Sequence, residues 1–127
     1  MKRKTFLIAT ALIACMFGIG MMTMPKMVSE TFGLSPLSLV TDFLLRFIGS
    51  LLFGVGVANF LVRKDNNIEA VKTVLMMNIT YHILSTGVDI TANINGVLPV
   101  LNSIPAYVVH IFVGVGSFIF LPKGASK

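Results

Sequence analysis

Four residues that could do chemistry stand inside otherwise apolar runs of this chain: Arg46, His82, Asp89 and His110. An imidazole changes charge near neutral pH, so it can carry a proton, donate or accept a hydrogen bond, or ligate a metal. A carboxylate or a guanidinium nearby can orient such a ring or pair with its opposite charge. Each of these groups is expensive in hydrocarbon unless it faces protein or a cavity and finds a partner there.

Their spacing puts them on shared faces. At about 100° per residue, Asn78, His82, Ser85 and Asp89 fall within roughly 60° of one helical face. Asp42, Arg46, Gly49, Phe53 and Gly56 fall within roughly 80°, and Ser103, Tyr107, His110, Gly114 and Ser117 span a similar arc. The first apolar run has no such polar face. Arg46, Asn78, His82, Asp89, Tyr107 and His110 are therefore the candidate pocket residues. Arg46 and Asp89 are the expected ion pair, since a lone buried charge costs several kcal/mol, with Asp42 the competing partner. Such polar residues also tie helices together, at well under about 2 kcal/mol per bond.

The elements that must position them follow from composition. The 127 residues are 55% hydrophobic and only 12% charged, with mean hydropathy +0.89; a soluble domain carries about 25% charged residues. The reading is one all-α integral membrane domain over residues 1–127, a four-transmembrane-helix bundle. Its helices are expected over about 5–24, 36–62, 68–90 and 104–121, each near the ~20 residues that cross a bilayer. Pro25 ends the first, and Lys26 to Phe32 reads as a short interfacial helix. Ser35-Pro36 reads as an N-cap followed by proline at the first helical position. Asn66 and Glu69 resemble a capping box opening the third helix at Ile68.

The net charge of +5 could suggest a nucleic-acid partner, but the basic residues form no single patch. Lys2, Arg3, Lys4, then Arg63, Lys64, then Lys123, Lys127 flank apolar runs, against Lys26 alone in the opposite loops. The positive-inside rule then puts both termini in the cytoplasm. On that topology Arg46 and Asp89 lie within about two turns of the outer boundary, and His82 and His110 roughly 10 Å below it. The lone Cys15 allows no intrachain disulfide. Leu12-Ile13-Ala14-Cys15 looks like a lipoprotein processing site, but Met16 to Met24 stays apolar, which favours an uncleaved span. Gly49, Gly54, Gly56, Gly114 and Gly116 are expected to let helices pack closely.

Arg46-Phe-Ile-Gly49, Gly54-Val-Gly-Val-Ala-Asn59, Asn78, His82, Asp89, Gly96, Asn102, His110 and Gly114 together resemble small bacterial four-helix membrane proteins of the broad DoxX-like kind. The resemblance covers roughly Asp42 to Phe120 and implies a multi-pass bundle in the bacterial inner membrane. Some DoxX-like proteins are associated with quinone-linked sulfur oxidation or with oxidative-stress complexes; neither activity transfers to these residues by spacing. Small multidrug exporters have a glutamate in their first helix, and vitamin-K-epoxide-reductase-like bundles have paired cysteines; this chain has neither.

The resulting expectation is a membrane protein with an outward-facing intramembrane polar pocket. It would act as a binding or accessory component for a small lipophilic ligand or a membrane complex, rather than as an enzyme. The alternatives are a quinone-linked redox subunit, or a haem carrier using His82 and His110 as axial ligands. His82, His110 and Asp89 are metal-ligand types, but no ligand-spacing motif supports a metal. Expected partners are the lipid bilayer, and a membrane protein or a second copy of the chain.

Overall fold

Caps and breakers in the chain decide where its helices start and stop. The computed structural model describes residues 1–34 and 36–122, among which there are five helices: α1 Arg3–Thr23, α2 Pro25–Thr31, α3 Leu39–Val62, α4 Ile68–Ile94 and α5 Val100–Phe120. Pro25 lacks an N–H, so it cannot continue α1 but suits the first position of α2. Two turns end in Schellman motifs. After α2, Leu34 N–H reaches Ser29 O and Gly33 N–H reaches Glu30 O; after α4, Val97 N–H reaches Ala92 O and Gly96 N–H reaches Asn93 O. Gly33 at φ 74° and Gly96 at φ 69° hold the left-handed position that each motif requires.

Three boundaries differ from the sequence expectation by three residues or more. α3 starts at Leu39 rather than at 36, because the Ser38 hydroxyl caps it by accepting from Thr41 N–H at 3.0 Å, while Pro36 sits in a bend. α4 runs on through Thr91, Ala92 and Asn93, since nothing breaks it before Gly96. α5 begins at Val100, which leaves Pro105 inside the helix rather than in its first turn. The α4 cap is Asn67, one residue later than expected, accepting from the N–H groups of Glu69 and Ala70. Ser35, Lys123 and Lys127, read above as a cap and as topology signals, lie outside the described residues.

α1, α3 and α5 are each long and apolar enough to cross a membrane. α4 is longer, at 27 residues, but Glu69, Lys72 and Asp89 dilute its apolar character. Large apolar side chains stand exposed on all four long helices, including Met16, Leu39, Ile83, Val88, Leu101 and Phe118. A water-soluble surface does not carry such a belt; hydrocarbon tolerates it. This is a membrane protein.

The helices associate as two pairs, α1 along α3 and α4 along α5, with slighter contact between the pairs. In lipid there is little hydrophobic drive between helices, so close backbone approach and dispersion must hold them. α1 supplies that through Ala11, Cys15 and Gly18, and α3 through Gly49 and Gly56. A Cβ on Gly18 would stand 2.7 Å from Gly49 O, and one on Gly49 would stand 2.7 Å from Gly18 O; Gly56 lies against Ala11 O and Cys15. Gly116 makes room for the Phe6 ring, and Gly114 has His82 Cβ nearby. Gly54 departs from its expected packing role, because a Cβ there meets nothing within 4 Å.

A tight core closes one end. Phe6, Leu7, Val71 and Leu75 are fully buried, with Val62, Phe120 and Leu121 packed on them, and Phe6 stacks on Phe120 at 5.1 Å. The start of α1, the α3–α4 turn and the end of α5 therefore share this end. At the other end the pairs are bridged by α2 and its turn, where Asn102 Nδ2 donates to Thr31 O at 2.9 Å. The packing predicts that Gly49→Val lowers stability in detergent by about 1–3 kcal/mol through backbone overpacking. Gly54→Ala should stay within about 0.5 kcal/mol of the parent. Thermal or denaturant unfolding of the two purified variants checks both.

Candidate functional site

Between the two helix pairs lies a cavity of about 370 Å³, within the usual range of about 300–1,000 Å³ for small-molecule sites. α1 contributes Thr10, Ala14, Phe17 and Met21, and α3 contributes Ile48, Leu52 and Val55. α4 and α5 add Tyr81, His82, Ser85 and Asp89, then Ala106, His110 and Val113, while Phe32 reaches in beside α2. The rim includes Ile48 and Phe17, each 39% exposed, and Leu84 and Val88, at 64% and 68%. The wall is thus apolar and open toward the exposed belt, with its polar atoms concentrated on α4 and α5.

Those polar atoms form a chain. His82 Nδ1 stands 2.8 Å from His110 Nδ1, and His110 Nε2 stands 3.1 Å from Asp89 Oδ2. His82 is 7% exposed, and Asp89 and His110 side chains are only 19% and 13% exposed. Asp89 and His82 sit seven residues apart on α4, two turns on one face, and His110 bridges them from α5. Register between the two helices is therefore held by one ring contacting both. The Tyr81 ring meets His82 edge-on at 5.1 Å. The Nδ1–Nδ1 distance is well short of the roughly 4 Å needed by two nitrogens on opposite sides of one metal, with bonds of about 2.0–2.1 Å. A haem between these imidazoles would require the rings to part.

The other three candidates are not part of this wall. Arg46 pairs with Asp42 rather than Asp89, its Nε 2.9 Å and Nη2 3.2 Å from the Asp42 carboxylate. That is an i,i+4 contact on one exposed helix face, while the Asp89 carboxylate is engaged by His110. Arg46 Nη1 also donates to Met22 O, a carbonyl in the last turn of α1 that has no partner within its own helix. The guanidinium is a cap, favourably set at the negative end of α1. Asn78 lies below the cavity, fully buried, in a reciprocal amide pair with Asn59: Asn78 Nδ2 donates at 2.8 Å and Asn59 Nδ2 donates back at 3.1 Å. Tyr107 donates its hydroxyl to Asn93 Oδ1, and Asn93 Nδ2 in turn donates to Leu98 O at 2.9 Å and Ser103 Oγ at 2.8 Å. That network fastens the α4–α5 turn.

Sequence reasoning missed the contribution of α1. Thr10, Ile13, Ala14, Phe17 and Met21 recur at helical spacing and line the cavity, and the buried Thr10 hydroxyl has no hydrogen-bond partner among the described residues. With no ionisable member, that face gives no signal to a search for charges; its 3–4 spacing was the signal available.

Searches against protein-family models, curated proteins and solved structures each return no match. The DoxX-like resemblance accordingly stands on the residues quoted for it and carries no activity to this site.

The hydrogen bonds separate two kinds of coupling. Asn59→Leu and Asn78→Leu should each destabilise by about 1–2 kcal/mol, since each strands a buried amide. The double variant should lose less than the sum of the two. Arg46→Leu and Asp89→Ala share no partner, so their effects should add within about 0.5 kcal/mol. Double-mutant cycles on unfolding in detergent measure both.

Proposed function

We propose that this protein is a small multi-pass component of the bacterial cytoplasmic membrane that binds a lipophilic ligand in the cavity between its helix pairs. The observation that carries the reading is the hydrogen-bonded chain Asp89–His110–His82 at the wall of an otherwise apolar cavity. Ordinary packing polar groups satisfy one another, as Asn59 and Asn78 do. His82 instead keeps Nε2 free of any partner among the described residues, and that atom is not sealed by its neighbours. An apolar pocket with a few convergent polar groups is the usual form of a small-molecule site. The exposed apolar rim suits entry from hydrocarbon rather than from water.

In this reading α4 is the fourth span. Its roughly 40 Å length exceeds a hydrocarbon core of about 30 Å, and its polar residues turn toward α3 and α5. Lys2, Arg3, Lys4, Arg63 and Lys64 belong to the end closed by the Phe6 core. By the positive-inside rule that end is cytoplasmic and the cavity lies in the outer half. Reporter fusions after Glu30, Asp65, Asn95 and Lys127 should alternate outside, inside, outside, inside. A periplasmic reporter active after Asp65 would reverse the topology.

Binding is tested by native mass spectrometry of protein released from its own membranes. The parent protein should retain a small lipophile, whereas Ser85→Phe, which fills the cavity, should fold and retain none. Equal retention by the two would exclude the cavity as the site.

A further inference from the structure

With an ionised Asp89 and two neutral rings, the hydrogen-bonded chain admits one arrangement of its protons, and that arrangement selects a ligand. A carboxylate at Asp89 would only accept, which would put the hydrogen of the 3.1 Å contact on His110 Nε2. A 2.8 Å contact between two Nδ1 atoms holds one hydrogen, not two. With both rings neutral, His110 has its proton on Nε2 and accepts at Nδ1. His82 must then donate from Nδ1 and keep a bare lone pair on Nε2, the atom without a partner. The carboxylate thus sets the tautomers of two rings in series, the second-ring equivalent of a carboxylate orienting one catalytic histidine.

A bare Nε2 accepts and does not donate. It rewards a ligand with an O–H and offers nothing to an ether or carbonyl oxygen. The cavity around it is lined by the rings of Phe17, Phe32 and Tyr81 and by Met21, groups that favour an aromatic occupant. We infer that the cavity takes a lipophile bearing a phenolic hydroxyl, with His82 Nε2 as acceptor of its proton and His110 and Asp89 as positioning residues behind it.

The proton can also move without any further reactant. As the phenol O–H bond breaks, its hydrogen bonds to His82 Nε2, and the His82 Nδ1 hydrogen passes to His110 Nδ1. His110 is then an imidazolium against the Asp89 carboxylate, and the ligand is a phenolate that accepts a hydrogen bond from His82 Nε2–H. One proton is displaced from ligand to His110, and charge is conserved. Two imidazoles in series let the positive charge settle beside the carboxylate instead of beside the ligand.

This rests on the cavity being a ligand site, and three matched probes separate the two ideas: para-hexylphenol, para-hexylanisole and hexylbenzene. Histidine labelled with ¹⁵N, in protein held in lipid nanodiscs, reports the tautomers directly. Before any addition, His82 should show its proton on Nδ1 and a bare Nε2; a proton on Nε2 would overturn the inference. Hexylphenol should shift the His82 Nε2 resonance and bind about tenfold more tightly than hexylanisole at equal membrane concentration, as one such hydrogen bond provides. Asp89→Asn, which no longer forces the tautomer, should bring that ratio close to one. Equal binding of all three probes with Nε2 undisturbed would remove the hydroxyl selectivity and leave the cavity as a site. No perturbation of His82 or His110 by any probe would remove the site itself, and the inference with it.

Discussion

A polar group at bilayer depth has no water to turn to, so leaving one without a partner within the protein is costly. That constraint organises this molecule more than apolar burial does, because hydrocarbon outside is as good a solvent for leucine as the interior. Polar side chains bridge the helices: Asn59 to Asn78 joins α3 to α4, and His82 to His110 to Asp89 joins α4 to α5. Arg46 joins α3 to the carbonyl end of α1. Backbone contact through Gly18, Gly49 and Gly56 completes the α1–α3 seam. Sliding any of these helices by one residue would strand a charge or an amide.

The same constraint explains what could be read from the chain. Spans bounded by Pro25 and the Arg63–Asn67 turn are legible because breakers and caps are local chemistry, whereas the end of α4 at the Gly96 turn lies four residues beyond the expected one. The shared face of His82 and Asp89, and its meeting with His110, is legible because helical spacing and depth are arithmetic on the sequence. Arg46 was not. Its two rivals, Asp42 and Asp89, satisfy the same spacing rules, and only the path of α1 brings Met22 O to the guanidinium. Nor could Asn78 and Tyr107 be told from cavity residues, since a polar face looks the same whether its members point at a ligand or at another side chain. Gly54 and Gly56 differ by two residues and hence by about 200° around α3, which decides that one packs and the other does not.

Tight packing at one end and a cavity toward the other gives the structure a mechanical polarity. Phe6, Leu7, Val71 and Leu75 clamp the four long helices together at the base. The cavity lies between the helix pairs, lined in part by Phe32, and the Asn102–Thr31 bond ties α5 to α2. A site built on helices held from below and tied across the top keeps its side-chain geometry without needing a large core. The arrangement puts the histidine pair where solvent is scarce, so a hydrogen bond made there is stronger than the same bond in water.

The polar chain at the cavity wall depends most on the direct contact between the two imidazoles. A nitrogen–nitrogen scalar coupling across that hydrogen bond, measured on ¹⁵N-histidine-labelled protein in lipid nanodiscs, tests it most directly. The structure predicts a resolved coupling between His82 Nδ1 and His110 Nδ1, lost in Asp89→Ala as the tautomers scramble. Two uncoupled rings, each giving the tautomer mixture of a free histidine, would contradict it.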